Sequence, residues 1–283
     1  MGRSLSIAAM LMVATTVGAS AQDTPPASAP PAHAARVDLT PRGEQLCLPD
    51  GGACLSTPAN PDDASSAPML MVSEGGPVTN VSTDIANGVP LPYQPVDRET
   101  VTLWPHAIAM PASDADGAPG SNWLIGIITH SSTMYSGGGG EAQRLHLHRA
   151  RINGTSMQFG DEVLNVPLSS SLMIRACFSD ADMRKRRGAC HDEYRYGANI
   201  VVAADDSRAA ALPDLVYAAQ ATAYPQTARR GEDSSAAPPL TRADLSTWTD
   251  GECSYSRRLA FNPATERYEM DRPAPDCSQY TQP

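Results

Sequence analysis

Three histidines and four consecutive glycines fall within residues 130–148, HSSTMYSGGGGEAQRLHLH. His146 and His148 are two apart, so on a strand both point to one face while Leu145 and Leu147 point to the other. Two imidazoles on one sheet face are the geometry from which zinc and copper sites on β scaffolds are built. If the segments on either side of the glycines pair as a hairpin, His130 approaches the same region, and His130, His146 and His148 become the candidate metal ligands. Arg144 shares the histidine face, which favours a plainer expectation, a polar strand face turned to solvent. No third ligand is fixed by spacing. No cofactor is therefore expected, with zinc or copper as the alternative.

A phosphate cradle needs glycine N–H groups that lead into a helix start. Here Gly137–Gly140 leads into EAQRLHLHR, which alternates like a strand, so the glycines are expected to form a mobile loop between two strands, free to act as a lid or contact loop. Serine-hydrolase chemistry finds no G-x-S-x-G, and Ser131 and Ser136 stand alone; H-E-x-x-H is absent as well. In CHDEYRY (190–196) a base and its orienter are close in sequence, but alternation sends His191 and Asp192 to opposite faces. The run Arg184, Lys185, Arg186, Arg187 is a candidate anion site for a phosphate, a sulfated sugar or an acidic partner. Its competing reading is a solvated helix end, where cations complement the negative end of the dipole.

These residues need elements to hold them. Short apolar segments separated by Gly, Pro and Asp recur at 100–110, 122–130, 144–152, 171–178, 196–204 and 214–224, and 256–262 with 266–270 reads as a final hairpin. Such spacing predicts an all-β sandwich or barrel-like fold with one or two short helices, braced by disulfides. WLIGIIT (123–129) is apolar on both faces and is expected to be a central strand covered on each side. Ser179 with Asp182, and Thr241 with Asp244, fit the capping pattern of a helix start. The first helix would run through Met183 to Arg187 and stop at Gly188.

Six cysteines allow 15 connectivities. CLPDGGAC carries a turn whose ends must lie close together, and Cys253 and Cys277 sit symmetrically about the turn at 262–265. Sequential pairing is expected: Cys47 with Cys54, Cys177 with Cys190, Cys253 with Cys277. Closing a loop of the 177–190 size contributes about 3 kcal/mol in the chain-entropy model.

The chain ends and the composition bound the function. Arg3, an apolar run from Ile7 to Val17 and Ala19-Ser20-Ala21 read as a cleavable signal peptide over 1–21. Residues 22–45 begin Pro/Ala-rich and are expected to be a flexible linker, with 46–283 a single β-rich domain. No later apolar run reaches the roughly 18 residues of a membrane span, so no stable membrane anchor is expected. The net charge of −10 disfavours nucleic acid and docking to anionic lipid. Lys185 is the only lysine among 21 cationic residues, the bias of a GC-rich bacterial genome. The protein is expected to be periplasmic or secreted from a Gram-negative bacterium. It would act as a binding or structural module for an extracytoplasmic ligand or protein. The alternative is an exported hydrolase, metal-assisted through the His-x-His strand.

Overall fold

The computed structural model describes residues 33–49, 52–57, 69–74, 88–90, 100–111, 121–154, 156–204 and 212–283. The expected signal peptide and the first part of the expected linker lie outside these residues. In chain order the elements are β1 (Ala35–Asp38), β2 (Thr40–Arg42), β3 (Gln45–Cys47), β4 (Ala53–Ser56), β5 (Met69–Glu74), β6 (Gly88–Pro90), β7 (Thr100–Ala109), β8 (Ser121–Tyr135), β9 (Gly138–Asn153) and β10 (Ser156–Arg175). There follow α1 (Asp180–Lys185), β11 (His191–Val202), β12 (Leu215–Tyr224), β13 (Trp248–Thr249), β14 (Ser256–Asn262), β15 (Arg267–Met270) and α2 (Ser278–Thr281). All described pairings are antiparallel, and the all-β expectation with two short helices holds.

The strands form two sheets. The larger has ten strands in the order β1-β7-β8-β9-β10-β11-β12-β14-β15, with β13 beside β12, and the smaller runs β2-β3-β4-β5-β6. Both faces of β8 are buried, as its two-sided apolar sequence requires. Ile125 and Ile127 pack with Leu55, Leu70 and Val72 of the small sheet. Leu124 and Ile128 pack on the other side with Leu145, Leu147, Leu164, Leu215 and Leu259. Fully burying one such aliphatic side chain contributes about 1.5–3 kcal/mol. Gly126 makes room on that second side, because a Cβ there would lie 2.6 Å from Trp104 Cβ and 2.9 Å from Leu145 Cδ1. The large sheet curls enough for β1 to reach β11: Arg36 Nη1 donates to Asn199 Oδ1 at 2.6 Å and to Ile200 O at 2.8 Å.

The three disulfides pair in sequence as expected. Cys47 and Cys54 stand directly opposite each other on β3 and β4. Cys177–Cys190 closes the loop that carries α1, whose first turn is capped by Ser179 accepting from Asp182 N. The helix stops at Lys185, ahead of the expected Arg187, and the chain turns over through Arg187 and Gly188, both at positive φ.

Three expectations are corrected. The stretch read as linker already contains β1, β2 and the start of β3, because Leu39 and Val37 join the core between the sheets. The Pro/Ala bias upstream masked that short alternating segment. Thr241 does meet Asp244, whose carboxylate accepts from Thr241 N and Oγ1 at 2.7 Å, yet no helix follows. Gln226 N takes the Asp244 carbonyl that a helix would need, and Trp248 joins β12 four residues later. The glycine run is not a loop either. Only Ser136 and Gly137 form the turn, and Gly138–Gly140 are β9 residues paired to β8 and to β10. Gly140 is needed because a Cβ there would lie 2.7 Å from Ser171 O and 3.0 Å from Pro283 Cβ.

Candidate functional site

The register of β8 and β9 is unbroken from Ser121 to Tyr135, and it separates the three histidines. His148 stands opposite Ile125 and His146 opposite Ile127, while His130 stands opposite Gln143. Residues directly opposite share a face, so His130 belongs with Leu145 and Leu147, across the sheet from His146 and His148. There its Nε2 meets Thr102 Oγ1 at 2.8 Å, and burial lowers its pKa, with Glu141 opposing. Among the described residues no group of three or more His, Cys, Asp or Glu side chains could hold a metal ion.

His146 and His148 are not solvent-facing: their relative exposures are 6% and 1%. The isoleucines opposite them pack under the small sheet, and Ala150 and Ile152, on the histidines' side of β9, join the same cluster. The His148 ring stacks on Phe159 with centroids 4.5 Å apart, and its Nδ1 donates to Gly160 O at 3.1 Å. Burial lowers its pKa, so the ring is neutral at pH 7.

His146 is the centre of a polar line across three adjacent strands. Its Nδ1 donates to Glu162 Oε2 on β10 at 2.5 Å, and Thr129 Oγ1 on β8 lies 3.0 Å from its Nε2. With the Nδ1 proton on the carboxylate side, an Nε2 that carries no proton accepts from the threonine hydroxyl. That is the order of nucleophile, base and orienter found in hydrolytic triads. Both ring nitrogens are thereby engaged, so a metal on His146 would have to displace Thr129 or Glu162. Burial alone would raise the Glu162 carboxyl, but the hydrogen bond from His146 and the positive charge of Arg267 outweigh it and lower its pKa. Glu162 is therefore a carboxylate at neutral pH, bonded also by Arg267 Nη2 of β15.

Beside Glu162 a cleft of about 300 Å³ opens between β10 and β15, lined in part by Leu164, Val166, Leu259, Tyr268 and Arg267. That volume is at the small end for ligand pockets. On the histidine face Arg144 stands directly opposite Thr129, and its Nε and Nη2 both donate to Asn165 Oδ1, at 3.0 and 2.8 Å. Thr129 and Glu162 were not evident as partners in the sequence. Only the parity of 129 against 144 and 146 in a hairpin register pointed to the threonine. Nothing pointed to the glutamate.

The basic run is used mainly for internal ties. Lys185 Nζ donates to Ser235 O at 2.8 Å and Arg187 Nε to Leu240 O at 2.8 Å. Arg186 is buried, donates to Ala189 O at 2.8 Å, and is ion-paired with Asp192. Three of the four cations thus fasten the 234–240 segment or the base of the α1 loop, and Arg184 is exposed. Asp192 is inside and His191 outside, as strand alternation requires.

A different feature stands out on the surface. Among the described residues the exposed large apolar side chains are Met134, Tyr135, Met173, Phe178 and Met183. They come from the tip of the β8–β9 hairpin, the C-terminal end of β10 and the α1 loop. Met134 and Met173 flank Gly139 in one row across three strands. A Cβ on Gly139 would lie 3.6 Å from Met134 Cγ, so the methionine leans over the bare glycine. Two residues beyond Met173, the Arg175 guanidinium lies 5.2 Å from the centroid of the Phe178 ring. No protein-family model, no curated protein and no solved structure matches this chain, so what it does has to be read from these residues alone.

Proposed function

We propose that the protein is an exported binding module, periplasmic or secreted, that meets its partner with the end of the sheet carrying Met134, Met173 and Phe178. The observation that carries this reading is the gathering of the exposed large apolar side chains at that one end. Surface apolar residues scattered singly mean little, whereas a contiguous group marks a contact surface. The scaffold suits such a role, because the hairpin tip is continuous with long paired strands and a disulfide closes the α1 loop. Export is supported by the three disulfides, which persist in oxidising compartments, and by the signal-like N-terminus. In-cell photo-cross-linking tests the reading. A benzophenone side chain at position 134 or 178 is expected to form adducts with a partner, and one at exposed position 265, in the β14–β15 turn, is not. Equal labelling from all three positions would remove it.

A second reading, an exported hydrolase, is favoured by the line Thr129–His146–Glu162. Thr129 Oγ1 would pass its proton to His146 Nε2 while attacking an ester carbonyl; the adduct would expel the alcohol, which takes that proton, and water would then free the acyl group from Thr129 by the same route, with Glu162 holding the ring. β8 is paired on both sides at Thr129, so no backbone N–H there is free for an oxyanion, and Arg144 is the nearest cation in register. Turnover of p-nitrophenyl acetate measures it. Thr129→Val and His146→Ala are each expected to slow hydrolysis by about 100-fold or more. Rates equal to those of the unsubstituted protein would dismiss the hydrolase.

A further inference from the structure

We infer that Met134, Met173 and Met183 are modification sites, at which two-electron oxidants such as hydrogen peroxide form methionine sulfoxide and so switch off contact by this end; the switch rests on the contact-end reading above. The first argument is where the methionines are. Methionine is among the residue types most often fully buried. Yet among the described residues none of the buried core side chains is a methionine. Met157 packs half-buried against the core between the sheets, and Met110 and Met270 against the core on the other side of β8. The three at this end are 79%, 45% and 52% exposed, and they make up three of the five exposed large apolar side chains. A thioether there brings a reactivity that leucine or phenylalanine in the same places would lack.

The second argument is that the chain holds no readier target. A thiolate is the sulfur that oxidants attack most easily, but all six cysteines are held in the three disulfides. Exposure then decides which thioether reacts. Met134 and Met173 flank Gly139 in one row, so no side chain stands between them to shield either sulfur. The sulfur lone pair attacks one peroxide oxygen and the O–O bond breaks. The hydroxide that leaves takes the proton of the new S–OH group, so thioether and peroxide become sulfoxide and water. Sulfur is oxidised by two electrons and the peroxide is reduced by them. The product is polar, and an apolar tip becomes one that prefers water. The frame is spared, because Met173 sits on a strand paired on both sides and all three sulfurs lie outside the core.

Limited hydrogen peroxide on the full, disulfide-bonded protein, followed by fragment mapping that places each added oxygen, tests the sites. Met134, Met173 and Met183 are expected to gain oxygen at least about tenfold faster than Met110, Met157 and Met270. Protein oxidised at these three alone is expected to keep its thermal midpoint. Equal rates at all six, or a midpoint that falls with the first oxygen, overturns the inference. Cross-linking from position 178 in cells, before and after peroxide, tests the switch. In the otherwise unsubstituted protein, peroxide is expected to reduce the adducts several-fold. In a variant carrying Met134→Leu, Met173→Leu and Met183→Leu, peroxide is expected to leave the adducts at their starting level, whatever that level is. Adducts that survive peroxide in the first protein, or fall as far in the second, overturn the inference and leave the contact end standing. Labelling from position 178 no stronger than from position 265 before any oxidant removes the contact-end reading and the switch with it.

Discussion

Asp192→Ala is expected to destabilise the protein by about 3–5 kcal/mol, the penalty for leaving a buried charge without its partner. Asp192 and Arg186 have side-chain exposures of 5% each. One carboxylate oxygen accepts from Arg186 Nη2 and the other from Ser234 Oγ. The pair ties three separate pieces of chain: β11, the base of the disulfide-closed α1 loop, and the 226–247 segment. Removing the carboxylate strands a guanidinium whose remaining bonds, to Ala189 O at 2.8 Å and Ser234 O at 3.5 Å, carry no compensating charge. At roughly 2–4 °C per kcal/mol for a chain of this size, the thermal midpoint is expected to fall by about 10 °C. Ser234→Ala removes one hydrogen bond from a carboxylate that keeps its arginine, and is expected to cost about 1–2 kcal/mol. Replacing both charges, Arg186→Met with Asp192→Leu, is expected to restore most of the loss, because no charge then remains to be desolvated. Urea midpoints for the single and double variants measure all of this. A loss under about 1 kcal/mol for Asp192→Ala would show that solvent reaches Arg186.

That pair also shows how far local sequence rules reach. Alternation in CHDEYRY places Asp192 inside and His191 outside, and this rule holds. Pairing with Arg186 does not follow from it, because it needs the α1 loop to fold back, and the RKRR run has the pattern of a helix end facing water. The same division runs through the histidine strand. Period-two alternation puts His146 and His148 on one face, and the cysteine spacings give all three bridges, because both rules act over a few residues. The burial of His146 depends on residues of the neighbouring strands, Thr129 and Glu162 among them, which no local pattern announces. Which acid meets His146 is still less legible. The β9–β10 register slips between Phe159 and Glu162 and again between Glu162 and Leu164, and each slip shifts every later side chain against its neighbours. The glycines misled for a related reason. A run of four reads as freedom, but at Gly140 the requirement is close approach by the β10 backbone and Pro283.

Removing the Cys253–Cys277 bridge, as Cys253→Ser with Cys277→Ser, is expected to cost roughly 3.5 kcal/mol, the largest loss of the three. In the chain-entropy model the penalty grows with the loop released. The separations of 7, 13 and 24 residues give roughly 2.5 kcal/mol for Cys47–Cys54, roughly 3 kcal/mol for Cys177–Cys190 and roughly 3.5 kcal/mol for Cys253–Cys277. Native contacts widen the gap. Asp250 Oδ1 accepts from Glu252 N and Cys253 N, and its Oδ2 accepts from Tyr280 Oη at 3.1 Å, so the turn before Cys253 and α2 after Cys277 share one carboxylate. Tyr280 is 2% exposed, meets Tyr194 edge-on at 6.1 Å, and accepts from Ser170 through its carbonyl. Without the bridge α2 is held by these contacts alone, and it covers the side of the sheet where Pro283 meets Gly140. Amide exchange in Gly139–Ala142 is therefore expected to accelerate in this variant. In the Cys47–Cys54 variant the same amides are expected to keep their protection, since that bridge lies in the other sheet. Should the Cys47→Ser with Cys54→Ser variant lose more stability by urea unfolding, loop length does not set the order. The small sheet that packs on Ile125 and Ile127 would then be the least replaceable part of the fold.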